Sequence, residues 1–442
     1  MNSPRDQFIR QLLIWGGCAL LLIALPLVFQ TDFALSLFSR MCIAVVFALS
    51  YNMLLGQGGM MSFGHAVYSG LGAYLTIHAL NAVGAGHFYF PVTLLPLVGG
   101  ATGLFFGWLL GHVSTKRAGT PFAMISLGIG ELVAACALML PAFFGGEAGI
   151  SGDRVTGEGW FGIDYGSPLQ MYGLIAAWTF VCAVAMYALT HTPLGRMANA
   201  VRDNPERVQF IGYDAHRVRY YTLILSAFFA GIAGGLMALN YEIVTSENVS
   251  AQASGAMLLM TYIGGIGQFF GPVLGAVFFT FMNTALSSYT KAWPFYFGLL
   301  FLITVLYAPG GFSSLIVIHG PVWRARLMRL LAPAYALCLL TAAFIVPGII
   351  GLVEMCYHLS EHGDAPRMSL FGVGFDVSTA PPWIVTALLI AAGLLVLHHA
   401  KAAVGLAWQQ ITELLQQNDR ARRDSVSVTP LLAAQHEGAQ GG

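Results

Sequence analysis

Charged residues are scarce in this chain. Asp, Glu, Lys and Arg make up 9% of the 442 residues, and 20 basic side chains balance 20 acidic ones, so the formal net charge is zero. In a soluble domain about 25% of the residues are charged. This chain has too few charged side chains to form the water-exposed surface of a soluble protein of 442 residues. A nucleic-acid-binding protein needs a basic excess to neutralise phosphates. The balanced charge, with lysine only at positions 116, 291 and 401, excludes that class.

Cysteine is also sparse and follows no pattern. The six cysteines include no Cys-x-x-Cys pair, and most lie in apolar stretches, where a thiol behaves as a small hydrophobic side chain. We therefore predict neither a disulfide framework nor a zinc site. A Gly-x-x-x-x-Gly-Lys-Ser/Thr loop, which would bind nucleotide phosphates, is missing as well.

Long apolar runs are the main feature that the sequence does contain. Hydrophobic residues make up 57% of the chain, and a helix needs about 20 such residues to cross a bilayer. Twelve runs approach or exceed this length: 11–29, 36–55, 63–82, 91–111, 121–141, 168–190, 221–241, 253–268, 271–289, 295–309, 331–353 and 382–400. The runs 253–268 and 295–309 are short, and a glycine-rich stretch separates 36–55 from 63–82. Each of these four is also consistent with a broken or re-entrant helix.

The basic residues predict the orientation, because Lys and Arg in short loops stay on the cytoplasmic side of a membrane. If the twelve runs alternate in direction, one side holds the basic residues Arg5, Arg10, Lys116, Arg117, Arg196, Arg202, Arg207, Arg217, Arg219, Arg324, Arg326 and Arg329. The opposite loops carry one arginine, Arg154, and mainly acids: Asp32, Glu147, Asp153, Glu158, Asp164, Glu242 and Glu247. We therefore predict a multi-pass membrane protein with both termini in the cytoplasm.

The longest basic loop, residues 191–220, contains clear signals for a short helix. Asn204 is a suitable N-cap, and Pro205 suits the first helical position, where no amide donor is needed. Glu206 lies at the positive end of the helix dipole, and Gly212 allows a left-handed C-terminal stop. Because so short a helix is unstable alone, we expect it to dock on a cytosolic partner or to lie on lipid headgroups.

Several stretches together resemble the permease subunits of bacterial ABC importers for branched-chain amino acids, in the LivM-like branch. They follow in the order of that family over about residues 40–315. The matching stretches are 49–59 (LSYNMLLGQGG), 62–66 (SFGHA), 70–74 (GLGAY), 117–131 (RAGTPFAMISLGIGE), 192–196 (TPLGR), 200–204 (AVRDN), Gly212, 226–236 (SAFFAGIAGGL), 263–276 (IGGIGQFFGPVLGA) and 307–312 (YAPGGF).

This resemblance implies an all-α polytopic membrane protein with an ABC importer permease fold of about ten transmembrane helices. Residues 1–320 would form the permease domain. The resemblance ends near residue 320, and the apolar runs 331–353 and 382–400 predict an extra extension of two spans over residues 321–400. The helical spacing of Trp408, Ile411, Leu414 and Leu415 predicts an amphipathic cytoplasmic helix, followed by a disordered tail, over residues 401–442.

The resemblance also implies the setting in which the chain works. It would be a transport subunit of the bacterial inner membrane, itself neither an enzyme nor bound to a cofactor, that moves branched-chain amino acids inward by alternating access. Its partners would be a second homologous permease, two cytoplasmic ATP-binding subunits that hold ATP and Mg, a periplasmic solute-binding protein and the lipid around it. The loop 191–220 would hold the coupling helix, with these contacts to the ATPase: Arg196, Arg202, Asp203, Asn204, Pro205, Glu206, Arg207 and Gly212.

Two glycine-rich segments, 54–73 and 263–276, resemble one another, and such paired interruptions indicate an internal repeat with the substrate path at its interface. Bulky substitution at Gly58 or Gly267 is therefore predicted to abolish uptake. Glu131 lies midway along a predicted span, where an acid either lines a wet path or binds a neighbouring helix through Arg40, Asn52 or Ser126. The candidate path or gate residues are Asn52, Gly56, Gln57, Gly58, Glu131, Gly264, Gly267 and Gln268.

Other functions remain open from the sequence. An importer of urea, short amides or other amino acids is a near alternative. A proton-coupled transporter would need embedded titratable residues, for which the chain offers only Glu131, His65 and His78. A metalloenzyme would depend on the His-x-x-Glu-His string formed by His358, Glu361 and His362, but such short patterns often arise by chance, and we predict no metal site.

Overall fold

The computed structural model describes residues 4–87, 89–155, 164–308, 310–361, 367–370 and 372–438, and these fold into two compact units, Met1–Ser314 and Leu315–Gly442. The helices of the first unit are α1 (Pro4–Val28), α2 (Asp32–Asn52), α3 (Ala66–Gly84), α4 (Leu95–Ser114), α5 (Thr120–Met139), α6 (Pro141–Phe144), α7 (Pro168–His191), α8 (Pro193–Asp203), α9 (Pro205–Phe210), α10 (Ala215–Tyr241), α11 (Ala251–Gly264), α12 (Gly271–Ser287) and α13 (Trp293–Tyr307). Two short strands, β1 (Ile150–Ser151) and β2 (Ile243–Val244), pair antiparallel within it.

Each of the twelve apolar runs forms a helix, so the predicted all-α polytopic class is confirmed. Eight helices in the described part of the chain are long and apolar enough to cross a membrane. A ninth span is counted if α13 and α14 (Gly311–Arg324), which meet at a 44° bend, form one broken span. Of the remaining predicted runs, three form α11, α12 and α13, which have 14, 17 and 15 residues and are shorter than a straight span.

Close helix contacts through glycine build the centre of the first unit. In α10, a Cβ at Gly231 would overlap the carbonyl oxygen of Gly99 in α4 and lie 3.1 Å from the Cα of Gly103. Small residues allow helices to approach this closely, which is how helices associate in a membrane, where lipid is as apolar as the side chains. Helix α2 also belongs to this centre, because the Ser226 hydroxyl of α10 donates to the Ser50 carbonyl oxygen at 2.6 Å. Helices α2 and α10, the two most buried of the eight candidate spans, both carry matched sequence stretches.

The second unit contains two long helices, α15 (Met328–Glu361) and α16 (Ala380–Gly438), joined by the hairpin of β3 (Arg367–Leu370) and β4 (Val373–Asp376). Hydrogen bonds donated by the hydroxyl and amide of Ser378 lower the pKa of Asp376 at the end of the hairpin. The unit begins six residues before the predicted start at 321, and the helix α14 crosses its boundary.

The structure differs from the predicted division at residue 400. Helix α16 continues without a break to Gly438, where a separate amphipathic helix and a disordered tail were predicted. Residues 401–417 are mostly strong helix formers, and the lone Gly405 is not enough to end a helix. The predicted apolar face is present, but it packs inside the unit: Ile411 is buried and clusters with Leu331 and Val322.

Candidate functional site

The glycine-rich break after α2 is a defined structure. The helix changes to one π-helical turn at Met53–Gln57, and no regular helix follows until Ala66. The turn closes through hydrogen bonds from the Gly59 amide to the Leu55 carbonyl oxygen (3.0 Å) and from the Met60 amide to that of Leu54 (3.1 Å). Gly59 has φ +66, a conformation that glycine adopts without strain. Because π-turns within helices are frequent at functional sites, this break is a candidate functional site.

Gly56 lies at a point where the two glycine-rich segments meet. A Cβ at this position would overlap the Asn52 side-chain oxygen and lie 2.8 Å from the Ile266 carbonyl oxygen. Asn52 is 3% exposed, and its Oδ1 accepts no hydrogen bond from the described residues. Gly58 is also enclosed, since a Cβ there would lie 2.7 Å from the Leu54 carbonyl oxygen, whereas Gln57 is half-buried.

The second segment connects α11 to α12. Gly264 ends α11, and a Cβ there would lie 2.8 Å from the amide nitrogen of Gly275. Gly265 follows with φ +109, which explains the sharp exit from the helix. Gly267 and Gln268 differ from their neighbours: both are exposed, and no atom lies within 4 Å of a Cβ built at Gly267. The structure therefore joins Gly56 to this segment but leaves Gly267 and Gln268 outside the contact.

Residues around the first break form a buried polar network. The His65 ring nitrogen Nε2 lies 3.2 Å from the Ser50 hydroxyl, and the Tyr51 hydroxyl donates to the Ser62 carbonyl oxygen at 2.8 Å. His78 contacts the Phe143 carbonyl oxygen at 2.8 Å. In the described part of the chain, no hydrogen bond connects either histidine to Glu131.

The loop 191–220 folds into two helices. The N-cap Thr192 accepts a hydrogen bond from the Gly195 amide at the start of α8, a helix that the sequence signals did not predict. The predicted short helix is confirmed as α9: the Asn204 side chain accepts from the Arg207 amide at 3.0 Å, and Gly212 follows with φ +87. The two helices are held together by a small apolar cluster made of Ala198, Val201, Val208, Ala215 and Val218.

The tip of this loop presents both charged and large apolar side chains. Phe210 is 89% exposed and Ile211 63% exposed, and Tyr213 beside them is 49% exposed. Asn204 and Pro205 are half-buried, and the other predicted contacts are exposed: Arg196, Arg202, Asp203, Glu206, Arg207 and Gly212. Exposed aromatic groups next to arginines are typical of protein interfaces. Phe210, Ile211 and Tyr213 were not among the predicted contacts, although their apolar character in a polar loop is visible in the sequence.

Arg202 connects this loop to the glycine-rich break. Its Nη1 donates a hydrogen bond to the Gly56 carbonyl oxygen, and its Nη2 forms an ion pair with Asp203 at 2.9 Å. Its aliphatic stem lies over Gly59, where a Cβ would be 2.6 Å from Cγ of Arg202. A hydrogen bond from a charged donor is stronger than one between neutral groups. Arg202 therefore joins two regions that sequence motifs alone present as separate sites.

Glu131 lies on the outward face of α5. It is exposed and has no ion pair or hydrogen bond within the part of the chain that the structure describes. Arg40, Asn52 and Ser126 are not its partners: the Ser126 hydroxyl accepts from the Phe63 amide at 3.0 Å and so attaches α5 to the break. No contact within the described part of the chain therefore supports a structural role for Glu131.

The structure describes only part of the His-x-x-Glu-His string for which no metal site was predicted. Glu354, His358 and Glu361 lie on α15, whereas His362 lies outside the described residues. Among the residues with assigned positions, no group of three or more His, Cys, Asp or Glu side chains could hold a metal ion.

Comparison with known proteins gives a consistent result. The sequence model of the family described as "branched-chain amino acid transport system / permease component" matches residues 33–309. The chain is 26% identical over 290 residues to the high-affinity branched-chain amino acid transport system permease protein LivM of Salmonella typhimurium, covering 61% of this chain and 67% of that protein. It is 24% identical to LivM of Escherichia coli K12, with the same coverage.

A more distant relative covers a similar part of the chain. The probable branched-chain amino acid transport permease protein LivH of Methanocaldococcus jannaschii is 25% identical over 309 residues, which is 65% of this chain and 91% of that protein. No solved structure gives a significant match. The family match ends before Leu315, where the second compact unit begins.

Proposed function

The chain belongs to the family of permease components of branched-chain amino acid transport systems, and from this membership we propose that it forms the membrane path of an ATP-driven importer for hydrophobic amino acids. The family match covers 33–309, which includes both glycine-rich segments and the loop 191–220. In this proposal the chain catalyses no reaction itself, and ATP and Mg are bound by separate subunits. The substrate moves by alternating access as the break after α2 changes conformation.

The contact between Arg202 and Gly56 is the observation that carries this proposal. Force applied to a loop can open a path only if the loop is attached to the part that moves. The Arg202 guanidinium provides such an attachment, because it binds the carbonyl oxygen of the π-turn directly. The π-turn in turn touches the second glycine-rich segment through Gly56 and Ile266. A displacement of α8 would therefore reach both breaks.

The exposed tip of the loop supports docking to an ATPase. Phe210, Ile211 and Tyr213 are removed from water only if a partner covers them. We propose that they enter a groove of a cytoplasmic ATP-binding subunit, flanked by the polar contacts Arg196, Asp203, Asn204, Pro205, Glu206, Arg207 and Gly212. Arg202, the remaining predicted contact, also binds the Gly56 carbonyl oxygen inside the permease.

The remaining components are those that the family membership implies. We propose a bacterial inner-membrane location with both termini cytoplasmic, a second homologous permease, two ATP-binding subunits and a periplasmic solute-binding protein. Glu131 faces out of the protomer without a partner among the described residues. A carboxylate in that position needs water or a complementary surface, so we place it beside the path where the second permease completes the wall.

Reconstitution tests the transport activity. The chain is placed in proteoliposomes together with candidate permease, ATP-binding and solute-binding subunits, and uptake of radiolabelled leucine, urea and acetamide is measured. We expect leucine uptake that requires ATP on the cytoplasmic side and persists without a proton gradient. Uptake that continues without ATP hydrolysis would overturn the proposal, and transport of urea alone would correct the substrate.

Crosslinking tests the docking surface. In a variant without native cysteines, Phe210→Cys is compared with Tyr289→Cys, which is 87% exposed after α12 at the predicted periplasmic side. We expect a thiol crosslinker to join the ATPase to position 210 only. Capture of the ATPase from position 289, or labelling of position 210 from outside the cell, would contradict both the docking and the orientation.

A further inference from the structure

Arg40 lies in the apolar helix α2 and has no acidic partner among the residues that the structure describes. Its guanidinium carbon lies 5.5 Å from the centre of the Tyr241 ring, at the end of α10. Glu242, the next residue along the chain, binds Arg154 instead, through a 2.9 Å hydrogen bond from the Arg154 amide and an ion pair at 3.9 Å. Arg40, whose charge is costly to place in a membrane, thus has an aromatic ring beside it but no carboxylate among the described residues.

The side chain of Arg40 lines a cavity of about 260 Å³ between α2, α10, α11 and α12. This volume is below the roughly 300–1,000 Å³ that is usual for drug-sized ligands, so it suits a smaller molecule. On α12, four polar residues line the cavity at the spacing of one helix face: Thr280, Asn283, Thr284 and Ser287. Of these, only the Ser287 side chain has a hydrogen bond within the described residues, to the Thr284 carbonyl oxygen.

The opposite part of the lining is apolar. Phe47 and Phe279 line the cavity together with Met260 of α11. Phe47 lies seven residues beyond Arg40 on α2, about 10 Å along the helix axis. Tyr241 and Ser287, by contrast, are the last residues of their helices. The cavity therefore has a cationic, polar end and an apolar end, and the polar end lies at the predicted periplasmic side.

We propose that this cavity binds a small carboxylate with an apolar side chain, with the carboxylate on Arg40 and the side chain against Phe47, Met260 and Phe279. Asn283, Thr280 and Thr284 would supply further hydrogen bonds to the polar head. This inference rests on the proposed function only in identifying the ligand with the cargo, a hydrophobic amino acid. It then gives the permease a specificity site of its own on the outward side, in addition to that of a solute-binding protein.

The lining also defines which part of an amino acid is recognised. Arginine binds carboxylates through two parallel hydrogen bonds, whereas none of the described residues that line the cavity is an acid that could bind an ammonium group. We therefore expect leucine and its deaminated analogue 4-methylpentanoate to bind, and leucinamide, which has no carboxylate, to fail. A second cavity of about 120 Å³ also borders Arg40, and its lining includes the polar residues Ser36 and Asn240. The guanidinium is therefore accessible from this polar region as well.

The test uses the full-length chain in nanodiscs of phosphatidylcholine, with equilibrium binding of radiolabelled leucine and competition by the two analogues. Arg40→Gln should weaken leucine binding about 10- to 100-fold, as expected for the loss of a charged hydrogen-bonded pair. Asn283→Leu provides a second variant that removes a polar group without changing the charge. Arg329→Gln, an exposed arginine at the start of α15, is the matched control and should bind like the wild type.

Several outcomes would overturn the inference. These are no binding of leucine or 4-methylpentanoate to the wild type, unchanged binding in both Arg40→Gln and Asn283→Leu, or equal binding of leucinamide. Arg40-dependent retention of phosphatidylglycerol without carboxylate binding would assign the cavity to an anionic lipid instead. Binding is measured without ATP or partner subunits, so ATP-driven uptake with no Arg40-dependent binding refutes this site alone. Arg40-dependent binding in a chain that supports no ATP-driven uptake refutes the proposed function alone.

Discussion

The two glycine-rich segments resemble each other in sequence, but they differ in how tightly they are enclosed. At the first, a Cβ added to Gly56 or Gly58 would have backbone or side-chain atoms within 3 Å, and Arg202 binds the same turn. At the second, Gly264 is equally enclosed, but Gly267 faces open space. The comparison shows that the motif indicates where helices break, and that packing decides which of its glycines cannot be replaced.

The largest contrast is expected between Gly56→Val and Gly267→Val. At Gly56 the new side chain would overlap Asn52 and approach the Ile266 carbonyl oxygen, and overpacking costs about 1–3 kcal/mol or more. We expect Gly56→Val to abolish leucine uptake and Gly267→Val to retain it. The sequence motif alone predicts equal loss of uptake after bulky substitution at Gly58 and at Gly267. The packing predicts this loss only at Gly58, because Gly267 faces open space. Uptake and the amount of protein in the membrane are measured together, and loss of uptake at Gly267 would contradict the structural comparison.

Arg202→Ala tests whether the first break is the coupled one. The substitution removes the bond to Gly56 but leaves α9 and its exposed tip unchanged. A hydrogen bond from a charged group is worth about 1.5–3 kcal/mol, so we expect uptake to fall about tenfold or more while ATPase binding and hydrolysis persist. Arg196→Ala, on the same helix, is the comparison. If both variants lose ATPase binding equally, Arg202 acts at the docking surface and not as a connection to the break.

Glu131→Gln tests whether α5, attached to the first break through Ser126 and Phe63, borders the path. Since Glu131 has no partner among the described residues, the change should leave folding intact. We expect leucine uptake to decrease several-fold because the charge beside the path is lost. Gel filtration and uptake are measured separately. Normal uptake would end the assignment of Glu131 to the path, and a folding defect would point to a structural contact.

The smallest effect is expected for Asn204→Ala, which lies in the loop and away from both breaks. The change removes the N-cap of α9, worth about 1 kcal/mol of helix stability. We expect weaker ATPase binding with a modest decrease in uptake, and recovery in Asn204→Asp, which restores a capping oxygen. Failure of Asp to recover binding would show that the loss comes from the proposed contact of Asn204 with the ATPase and not from its role as the N-cap of α9.

Much of the fold could be predicted from local features. All twelve apolar runs became helices, because hydropathy and length act within one segment. Helix α9 was predictable from Asn204, Pro205 and Gly212, whose effects depend only on neighbouring backbone groups. Helix α8 was missed because its sequence is polar and its buried face consists of small or short residues such as Ala198 and Val201. Helix α16 runs through the predicted division at residue 400 because a change from apolar to amphipathic composition does not by itself end a helix.

The sequence by itself determined the long apolar helices, the positions of the breaks and the family. Only the tertiary structure decided that Arg202 binds Gly56, 146 residues away, that Glu131 is exposed, and that Arg40 and the polar face of α12 line one cavity. The physical reason is the range of the interactions. Helix formation depends on residues within a turn or two, whereas a cavity or a hydrogen bond between distant segments exists only after several helices have packed and fixed which side chains meet.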